Sequence, residues 1–272
     1  MNLKRAIDDI DLVFLDLETT GLDVVEGDAI CEIGALRTRG DTIVKQFQTL
    51  VNPGKSIPPQ AHLIHKISDQ DVKSAPSFRD VFDGVQDFLQ DSIVCAYNAE
   101  FDLGFIKHQA WRENRVAVEF PAMDILSMAR TTVKLTRYKL ESAARFFGID
   151  TAGGFHRAIS DAQITFQVFL KLRDMLRERN LTMADDYVSL FGVNNTVFRS
   201  KEEPKIVAIK EAMSKEIYLK IRYFADENVM RTEKIRPLIF FQERNSFYLW
   251  YQGAGVESRR ININRIFDIE IA

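Results

Sequence analysis

Hydrophobic runs of strand length and of helix length alternate through the first two thirds of the chain. Short apolar runs rich in β-branched and aromatic residues predict four buried strands, at residues 12–18, 29–38, 42–51 and 92–97. Apolar residues at helical spacing predict five helices, at residues 78–89, from about 98, at about 124–134 and 139–147, and from 161 to about 179. A loop containing Asn52-Pro53-Gly54 and Pro58-Pro59 is expected after the third strand. Three strands followed by alternating helices and strands predict an α/β domain over residues 1–180.

The hydrophobic period changes to two near the end of the chain. After a short helix near 204–214, apolar and polar residues alternate in several short runs separated by turn residues, at 217–223, 261–264 and 267–271. Residues 205–272 are therefore predicted to form a small antiparallel β domain. Residues 181–204 are predicted to be a connector that packs in part, because they include Leu190 and Phe191.

Composition narrows the class of protein. The 272 residues are 46% hydrophobic, which is enough for one large domain or for one large and one small domain. No apolar stretch reaches the roughly 18–20 residues of a membrane span, and the acidic start of the chain is unlike a signal peptide. Cys31 and Cys95 lie in apolar contexts, where two buried thiols are expected and a disulfide or metal site is not. A cytoplasmic location is expected.

The net charge of −3 does not by itself indicate the class of ligand. Residues 199–272 carry 14 Lys and Arg against 11 Asp and Glu, whereas the rest of the chain carries 22 against 28. A site that binds cations would contribute several of those acids, because bound cations reverse the local charge. Overall charge therefore neither favours nor excludes a nucleic-acid substrate.

Five chemically capable residues fall in three separated segments, each beside a hydrophobic run. They are Asp16 and Glu18 at the end of the first strand, Asp102 near the start of a helix, and His156 with Asp161 around the start of the last long helix. Residues two apart on a strand face the same side, so the first two carboxylates would repel each other unless a cation lay between them. Oxygen ligands of this kind suit Mg²⁺ or Mn²⁺. Each segment alone has an ordinary alternative, namely a solvated strand end, a carboxylate that complements a helix dipole, or a polar loop histidine. Their combination favours a metal-dependent nuclease.

The motifs around these residues resemble those of the DEDDh family of 3′-to-5′ exonucleases, which have a ribonuclease-H-like fold. The resemblance covers residues 11 to about 178 and rests on DLETTGL at 16–22, IHKI at 64–67, YNAEFD at 97–102 and HRAISDA at 156–162. A sister group has Tyr-x-x-x-Asp in the last motif, whereas four residues separate His156 from Asp161 here. The resemblance implies a mixed-sheet domain that hydrolyses 3′-terminal phosphodiesters to nucleoside 5′-monophosphates.

The same resemblance implies a role for each residue of the site. Asp16, Glu18, Asp102 and Asp161 would bind two divalent metal ions, Mg²⁺ or Mn²⁺, which clamp the attacking and leaving oxygens from ~4 Å apart. His156 would take a proton from the attacking water, a role that neutral imidazole suits at physiological pH. The terminal nucleotide would be bound by Thr19, Thr20, Leu22, Tyr97 and Asn98. Leu22 would wedge against the base, with ordinary turn packing as its alternative.

Two positions depart from the family pattern. Tyr97 stands where histidine is usual before Asn-Ala, and Lys66 replaces a common glycine. Neither change removes a metal ligand. Both are expected to alter the fit of the substrate, and for Lys66 a contact with a phosphate and a solvated loop lysine are equal alternatives.

Residues 205–272 resemble the WYL domain, a small Sm-like or SH3-like β-barrel found in prokaryotic regulators linked to nucleic acids. The resemblance rests on IYLKIRY at 217–223, RPL at 236–238, FYL at 247–249 and RRININRI at 259–266, with Phe247 in place of the naming tryptophan. The family's upstream basic position falls on Glu233 and is not carried over. Stacking and phosphate contacts are expected from a surface formed by Tyr218, Arg222, Arg236, Tyr248, Trp250, Arg259 and Arg265. Half-buried sheet packing is the alternative for Tyr248 and Trp250.

The sequence thus predicts a cytoplasmic prokaryotic 3′-to-5′ exonuclease domain (1–180), a connector (181–204) and a WYL-like module (205–272). The expected partner is nucleic acid with a free 3′ end, with DNA-repair or polymerase proteins as further partners and no membrane association. Single-stranded DNA is the preferred substrate. RNA or short oligoribonucleotides, and a non-catalytic nucleic-acid sensor, are the alternatives, and no oligomeric state is predicted.

Overall fold

The protein is described from a computed structural model that covers residues 1–24, 26–115, 117, 120–151, 154–193, 204–226, 229–243, 246–253, 255 and 258–271. The chain divides into two compact units, Met1–Asn195 and Thr196–Ala272. Within the part of the chain that the structure describes, no helix is long and apolar enough to span a membrane.

The first unit is built on a five-stranded mixed sheet with the order β3-β2-β1-β4-β5. The strands are β1 (Asp11–Thr19), β2 (Ile30–Arg39), β3 (Thr42–Leu50), β4 (Ile93–Ala96) and β5 (Ala122–Asp124). The β1–β2 and β2–β3 pairs are antiparallel, and the β1–β4 and β4–β5 pairs are parallel. This mixed sheet confirms the predicted α/β class. The sequence did not reveal β5, because a run of three residues carries almost no periodic signal.

Helices cover the sheet, and the described residues of this unit contain eight α-helices after a short 3-10 helix at Ile7–Asp9. They are α1 (Pro59–His65), α2 (Asp69–Val72), α3 (Phe78–Leu89), α4 (Ala99–Arg112), α5 (Ile125–Thr132), α6 (Leu140–Phe146), α7 (Ala158–Arg177) and α8 (Ala184–Phe191). The expected loop ends earlier than predicted, since Pro59 occupies the first position of α1, where its missing N–H is harmless. Helix α7 begins three residues before Asp161.

Both faces of β1 are buried, which explains its nearly continuous apolar sequence. Leu12 and Phe14 face the core formed with α5, α7 and α8, whereas the alternate residues face α3 and α4. The ring centroid of Phe14 lies 5.1 Å from that of Phe166 and 5.3 Å from that of Phe169, so α7 packs directly on β1. Helix α8 contributes Tyr187 and its neighbours to the same core, so residues 184–191 pack on this unit. Cys31 and Cys95 are buried free thiols.

The second unit consists of α9 (Pro204–Lys215) and an antiparallel sheet with the order β10-β6-β7-β8-β9. The strands are β6 (Leu219–Asp226), β7 (Val229–Glu243), β8 (Ser246–Gln252), β9 (Ser258–Asn262) and β10 (Ile266–Ile271). The inner face of the sheet packs against Ile209 and Ala212 of α9. The predicted alternation over 261–264 stops at Asn262, because a 3-10 turn occupies Ile263–Arg265. Strands β9 and β10 lie at opposite edges of this sheet, and no pairing joins them among the residues described. The described strands therefore form an antiparallel sheet, and their pairing does not show the closed barrel that was predicted.

Candidate active site

Three predicted ligands meet at the end of β1. The carboxylates of Asp16, Glu18 and Asp161 each offer an oxygen, and these atoms all lie within 4.8 Å of one another. Asp16 and Glu18 continue the face of β1 that carries Phe14, because alternate residues of a strand share a face. Helix α7 packs on that face through Phe166 and places Asp161, its fourth residue, over the end of the strand.

Burial makes this cluster electrostatically costly. Burial first, and then the charges of neighbouring carboxylates, raise the pKa of Asp16 well above its ordinary value. The same causes raise the pKa of Glu18 to about 8, and burial raises the pKa of Asp161 to about 6. Oδ1 of Asp161 is buried and has no hydrogen-bond partner among the described residues. Converging hard oxygen donors, raised carboxyl pKa values and an unpaired buried oxygen fit a divalent cation.

Asp102 lies beside this cluster and has a different immediate contact. It is buried in the first turn of α4, and its Oδ1 accepts a hydrogen bond of 3.1 Å from the backbone N–H of Leu17. The backbone pairing of β1 with β4 ends at Phe14. Beyond that point, the side chain of Asp102 accepts the hydrogen bond from the backbone N–H of Leu17. Burial raises the pKa of Asp102, and its charge contributes to the raised pKa of Asp16. The structure therefore brings three predicted ligands together and places the fourth next to them.

His156 lies between α6 and α7 with a positive φ of 67°, a conformation that is uncommon for residues other than glycine. Its backbone N–H donates to Oδ2 of Asp161 at 3.2 Å, which ties the histidine to the cluster. The imidazole Nε2 lies 3.4 Å from Oε1 of Glu141 on α6. The side chain is 45% exposed, so the ring is open to solvent and to a bound molecule.

Glu32 and Arg157 also lie at this end of the sheet, although sequence reasoning did not select them. Glu32 is paired with Glu18 across the β1–β2 ladder, and its side chain is only 1% exposed. The Nε and Nη2 atoms of Arg157 donate to its two oxygens at 3.0 and 2.7 Å. Gln48 and the N–H of Ala158 donate to the same carboxylate at 2.9 and 3.1 Å. Burial acts to raise the pKa of Glu32, but these hydrogen bonds hold it below its ordinary value. The available signal was a glutamate within the apolar part of the predicted strand at 29–38.

The turn after β1 contains three of the predicted nucleotide-binding residues. Thr19 and Thr20 are buried, and their hydroxyls donate to the carbonyl of Gly21 at 2.6 Å and to the carboxylate of Asp28 at 3.1 Å. These bonds shape the turn from within. Leu22 is 85% exposed, which argues against ordinary turn packing for this side chain.

The other two predicted nucleotide-binding residues lie between β4 and α4. The hydroxyl of Tyr97 donates to the carbonyl of Tyr138 at 3.0 Å. Asn98 precedes α4 with a φ of 77°, and its side chain makes no capping hydrogen bond to the helix. The backbone N–H of Asn98 instead donates to Asp124 at 3.0 Å. Lys66 ends α1 with a φ of 61°, a conformation that glycine adopts more easily.

The arginines predicted to bind nucleic acid in the second unit lie on several strands. Three have acidic neighbours within 4 Å: Arg222 with Asp268, Arg236 with Glu216, and Arg259 with Glu233. Arg265 is exposed in the 3-10 turn before β10. Much of the predicted positive charge is therefore locally balanced.

An exposed row of side chains crosses the outer face of β7, β8 and β9. Ile239 pairs with Trp250, and Trp250 pairs with Arg260, so the three lie side by side. All three are exposed. The guanidinium of Arg260 also lies 3.8 Å from the ring centroid of Tyr248, the predicted aromatic residue. Sequence reasoning missed Arg260, because the sequence alone does not show which residues of β9 lie on the outer face of the sheet.

Comparison with known proteins gives consistent results. The family described as Exonuclease (RNase_T) matches residues 13–169. The DNA polymerase III PolC-type protein of Thermotoga maritima is 35% identical over 184 residues, which is 67% of this chain and 13% of that protein. The DNA polymerase III subunit epsilon of Rickettsia felis is 30% identical over 204 residues, covering 73% of this chain and 89% of that subunit. The chain thus spans only a small part of its PolC-type relatives.

A solved structure extends the likeness in fold. The zinc-bound complex of E. coli exonuclease I with single-stranded DNA matches with a TM-score of 0.63 at 17% identity. The match covers 89% of this chain and 54% of that protein, so it reaches beyond the first unit. The family match at residues 13–169 includes all five residues of the predicted catalytic constellation.

Proposed function

We propose, because this chain belongs to the exonuclease family, that it is a divalent-metal-dependent 3′-to-5′ exonuclease acting on DNA. The observation that carries the proposal is the convergence of Asp16, Glu18 and Asp161 within 4.8 Å at the start of α7. The polymerase III names of its relatives support DNA over RNA, and single-stranded DNA is our preferred substrate. The products would be nucleoside 5′-monophosphates.

The acidic residues would supply the metal centre. Asp16, Glu18, Asp102 and Asp161 would hold two divalent cations, Mg²⁺ or Mn²⁺, whose oxygen preference matches these ligands. Such ions polarise a phosphodiester and promote ionisation of a water molecule. Their charge would also oppose the burial and the repulsion that raise the pKa values of Asp16 and Glu18.

The remaining residues would move the proton and hold the strand end. His156 is exposed and tied to Asp161, so its neutral imidazole would accept the proton of the attacking water. Glu141 would hold one imidazole nitrogen and leave the other for the proton. Leu22 would stack against the terminal base, because its side chain is exposed in the turn that follows β1.

Digestion of end-labelled strands tests the activity. Single-stranded DNA, duplex DNA and RNA should be compared in EDTA, Mg²⁺ and Mn²⁺, with removal of nucleotides expected from the 3′ end of DNA only when metal is present. Asp16→Asn should abolish this cleavage. Asp11→Asn is the matched control, since Asp11 lies at the other end of β1 in a contact with Arg37. Faster cleavage of RNA would establish the RNA alternative, and binding without cleavage in any metal would establish the sensor alternative.

We further propose that the second unit is a WYL-like module with an Sm or SH3 type of barrel, and that it binds nucleic acid. The proposal is supported by the antiparallel sheet, by the motif resemblance and by a fold likeness to exonuclease I that continues beyond the first unit. The row Ile239, Trp250 and Arg260, with Tyr248 beside it, offers apolar and cationic surface to an unpaired base. Base stacking of this kind contributes roughly 1–3 kcal/mol per base.

Variants of the full chain test this second proposal. Trp250→Ala combined with Arg260→Ala, in an Asp161→Asn background that prevents cleavage, should weaken binding of a labelled 20-nucleotide strand by about 10-fold or more. Fluorescence anisotropy at several salt concentrations measures that change. Lys215→Ala is the matched control, because Lys215 lies on α9 in an ion pair with Glu211, and it should change affinity less. Equal affinities for all three proteins would exclude this face as a binding surface.

The assignment of the two domains and the cellular setting form part of the same proposal. We place residues 1–180 as the catalytic domain, with α8 packed on its core, and residues 205–272 as the binding module. Work beside a polymerase or repair protein in the cytoplasm is supported by the polymerase III relatives and by the two buried thiols.

A further inference from the structure

We propose that the Glu32–Arg157 ion pair is a positioning device that fixes the start of α7 against β2 and thereby places His156. The inference rests on the proposed exonuclease function. It assigns a role to two residues that touch no predicted substrate atom and belong to no predicted ligand set.

The first backbone N–H group of α7 finds its hydrogen-bond acceptor on strand β2. Its N-cap residue, Arg157, makes no side-chain capping bond, although the first N–H groups of a helix have no partner within it. The N–H of Ala158 donates to Oε2 of Glu32 at 3.1 Å instead. A carboxylate on β2 therefore performs the capping that a neighbouring Asp or Ser usually supplies.

The geometry of the pair suits orientation better than it suits stability. Arg157 binds Glu32 through two parallel N–H groups, which fixes the direction as well as the distance of the contact. A buried carboxylate is costly to desolvate, and an apolar pair of similar volume would often stabilise a fold as well or better. A role in placing neighbouring residues accounts for its presence at this site.

The first turn of α7 also rests directly on the backbone of β2. A Cβ atom built on Gly34 would come within 2.3 Å of the N of Ile159 and within 2.4 Å of the carbonyl carbon of Ala158. Glycine permits this approach, and Glu32, two residues earlier on the same strand, holds the helix at that distance. The helix start thus has a close backbone contact and a directional ion pair on one strand.

The ion pair lies beside two residues whose positions are important for the proposed cleavage reaction. His156 directly precedes Arg157 and has a positive φ, while Asp161 accepts its N–H and lies one turn further along α7. A shift of about 1 Å in such groups can cost about 100-fold in rate. Loss of the pair should therefore act on the chemical step through His156.

Double-mutant kinetics on single-stranded DNA test this inference in the full-length protein. Arg157→Gln should lower kcat by about 100-fold with little change in KM, whereas Arg157→Lys should recover part of the loss because it keeps one charged contact. In a His156→Ala background, Arg157→Gln should lower kcat by less than about 3-fold, because the residue that it positions is already gone. Arg37→Gln is the matched control, since it breaks another arginine contact on β2, to Asp11, far along the strand. It should lower the melting temperature and leave kcat unchanged.

Hydrogen exchange supplies a readout that does not depend on activity. Amides of residues 156–162 should exchange faster in Arg157→Gln and Glu32→Gln than in the wild type, and not in Arg37→Gln. If the wild-type protein cleaves no nucleic acid, the proposed function is wrong, but the exchange measurement still tests whether the ion pair holds the start of α7. The inference is overturned if exchange is unchanged, if the two kcat losses multiply in the double variant, or if Arg157→Gln raises KM alone, which would assign Arg157 to substrate binding.

Discussion

Replacing Glu18 by glutamine is expected to stabilise the metal-free protein although it removes a proposed ligand. Burial and the charges of Asp161, Glu32 and Asp102 raise the pKa of Glu18 from an ordinary 4.5 to about 8. An acid whose pKa is raised by folding contributes most stability at low pH, and that contribution is lost as the pH rises from about 4.5 to about 8. At 1.36 kcal/mol per pKa unit, the loss at pH 7 is about 3 kcal/mol.

Urea denaturation in EDTA, followed by helical circular dichroism, measures this effect. Glu18→Gln should exceed the wild type in free energy of unfolding by about 3 kcal/mol at pH 7 and by about 1 kcal/mol or less at pH 5. Added Mg²⁺ should reverse the order, because a cation that binds only the folded wild type stabilises it by mass action. Glu113→Gln is the matched control, since Glu113 is exposed at the end of α4.

Two outcomes would refute this reasoning. A Glu18→Gln protein no more stable than the wild type at pH 7 would show that the buried charge is not costly. A difference independent of pH would assign the effect to packing, because titration of Glu18 would then play no part in it.

Three further predictions concern the same site. His156→Ala should lower kcat by about 10² to 10⁴-fold while calorimetry shows unchanged Mn²⁺ binding; near wild-type turnover would assign the proton to another group. Gly34→Ala should lower the free energy of unfolding in urea by about 1–3 kcal/mol and slow cleavage, since its Cβ must displace Ile159; a neutral result would mean that α7 is not held closely. Mn²⁺ affinity, measured by titration calorimetry, should rise between pH 5.5 and 8, as Asp161 and Glu18, with pKa values of about 6 and about 8, lose protons; flat affinity would exclude them as ligands.

Hydrophobic periodicity was sufficient for the large elements of the first unit. The helix predicted over 78–89 is α3, Phe78–Leu89, because its apolar residues recur on one face and Ser77 caps its start. Shorter elements were missed for physical reasons. Pro58-Pro59 is a loop signal by composition, yet Pro59 starts α1, and the eight residues of α8 gain stability from a core that lies elsewhere in the sequence.

The candidate site was predictable in its residue types and less so in its contacts. Asp16 and Glu18 share a face because strand geometry requires it, whereas the bond from Leu17 to Asp102 depends on where β4 stops pairing with β1. The contact between Glu32 and Arg157 joins residues 125 positions apart, and no local pattern reports such a separation. Contacts of that kind follow only from the folded arrangement.

Apolar contacts and ion pairs have different effects on the position of helix α7. Phe166 and Phe169 pack on Phe14 in the middle of the helix, and this nonspecific burial drives α7 onto the sheet without choosing its angle or its height. Directional contacts near the two ends remove that freedom: Arg157 with Glu32 at the start, and buried Arg173 with Asp8 and Asp41 at 2.9 and 2.6 Å further along. Because Asp161 lies between the first directional contact and the aromatic packing, its place over the end of β1 is determined from both sides. The contacts that hold α7 in place are therefore made by residues other than Asp16, Glu18 and Asp161, whose carboxylates converge over the end of the strand.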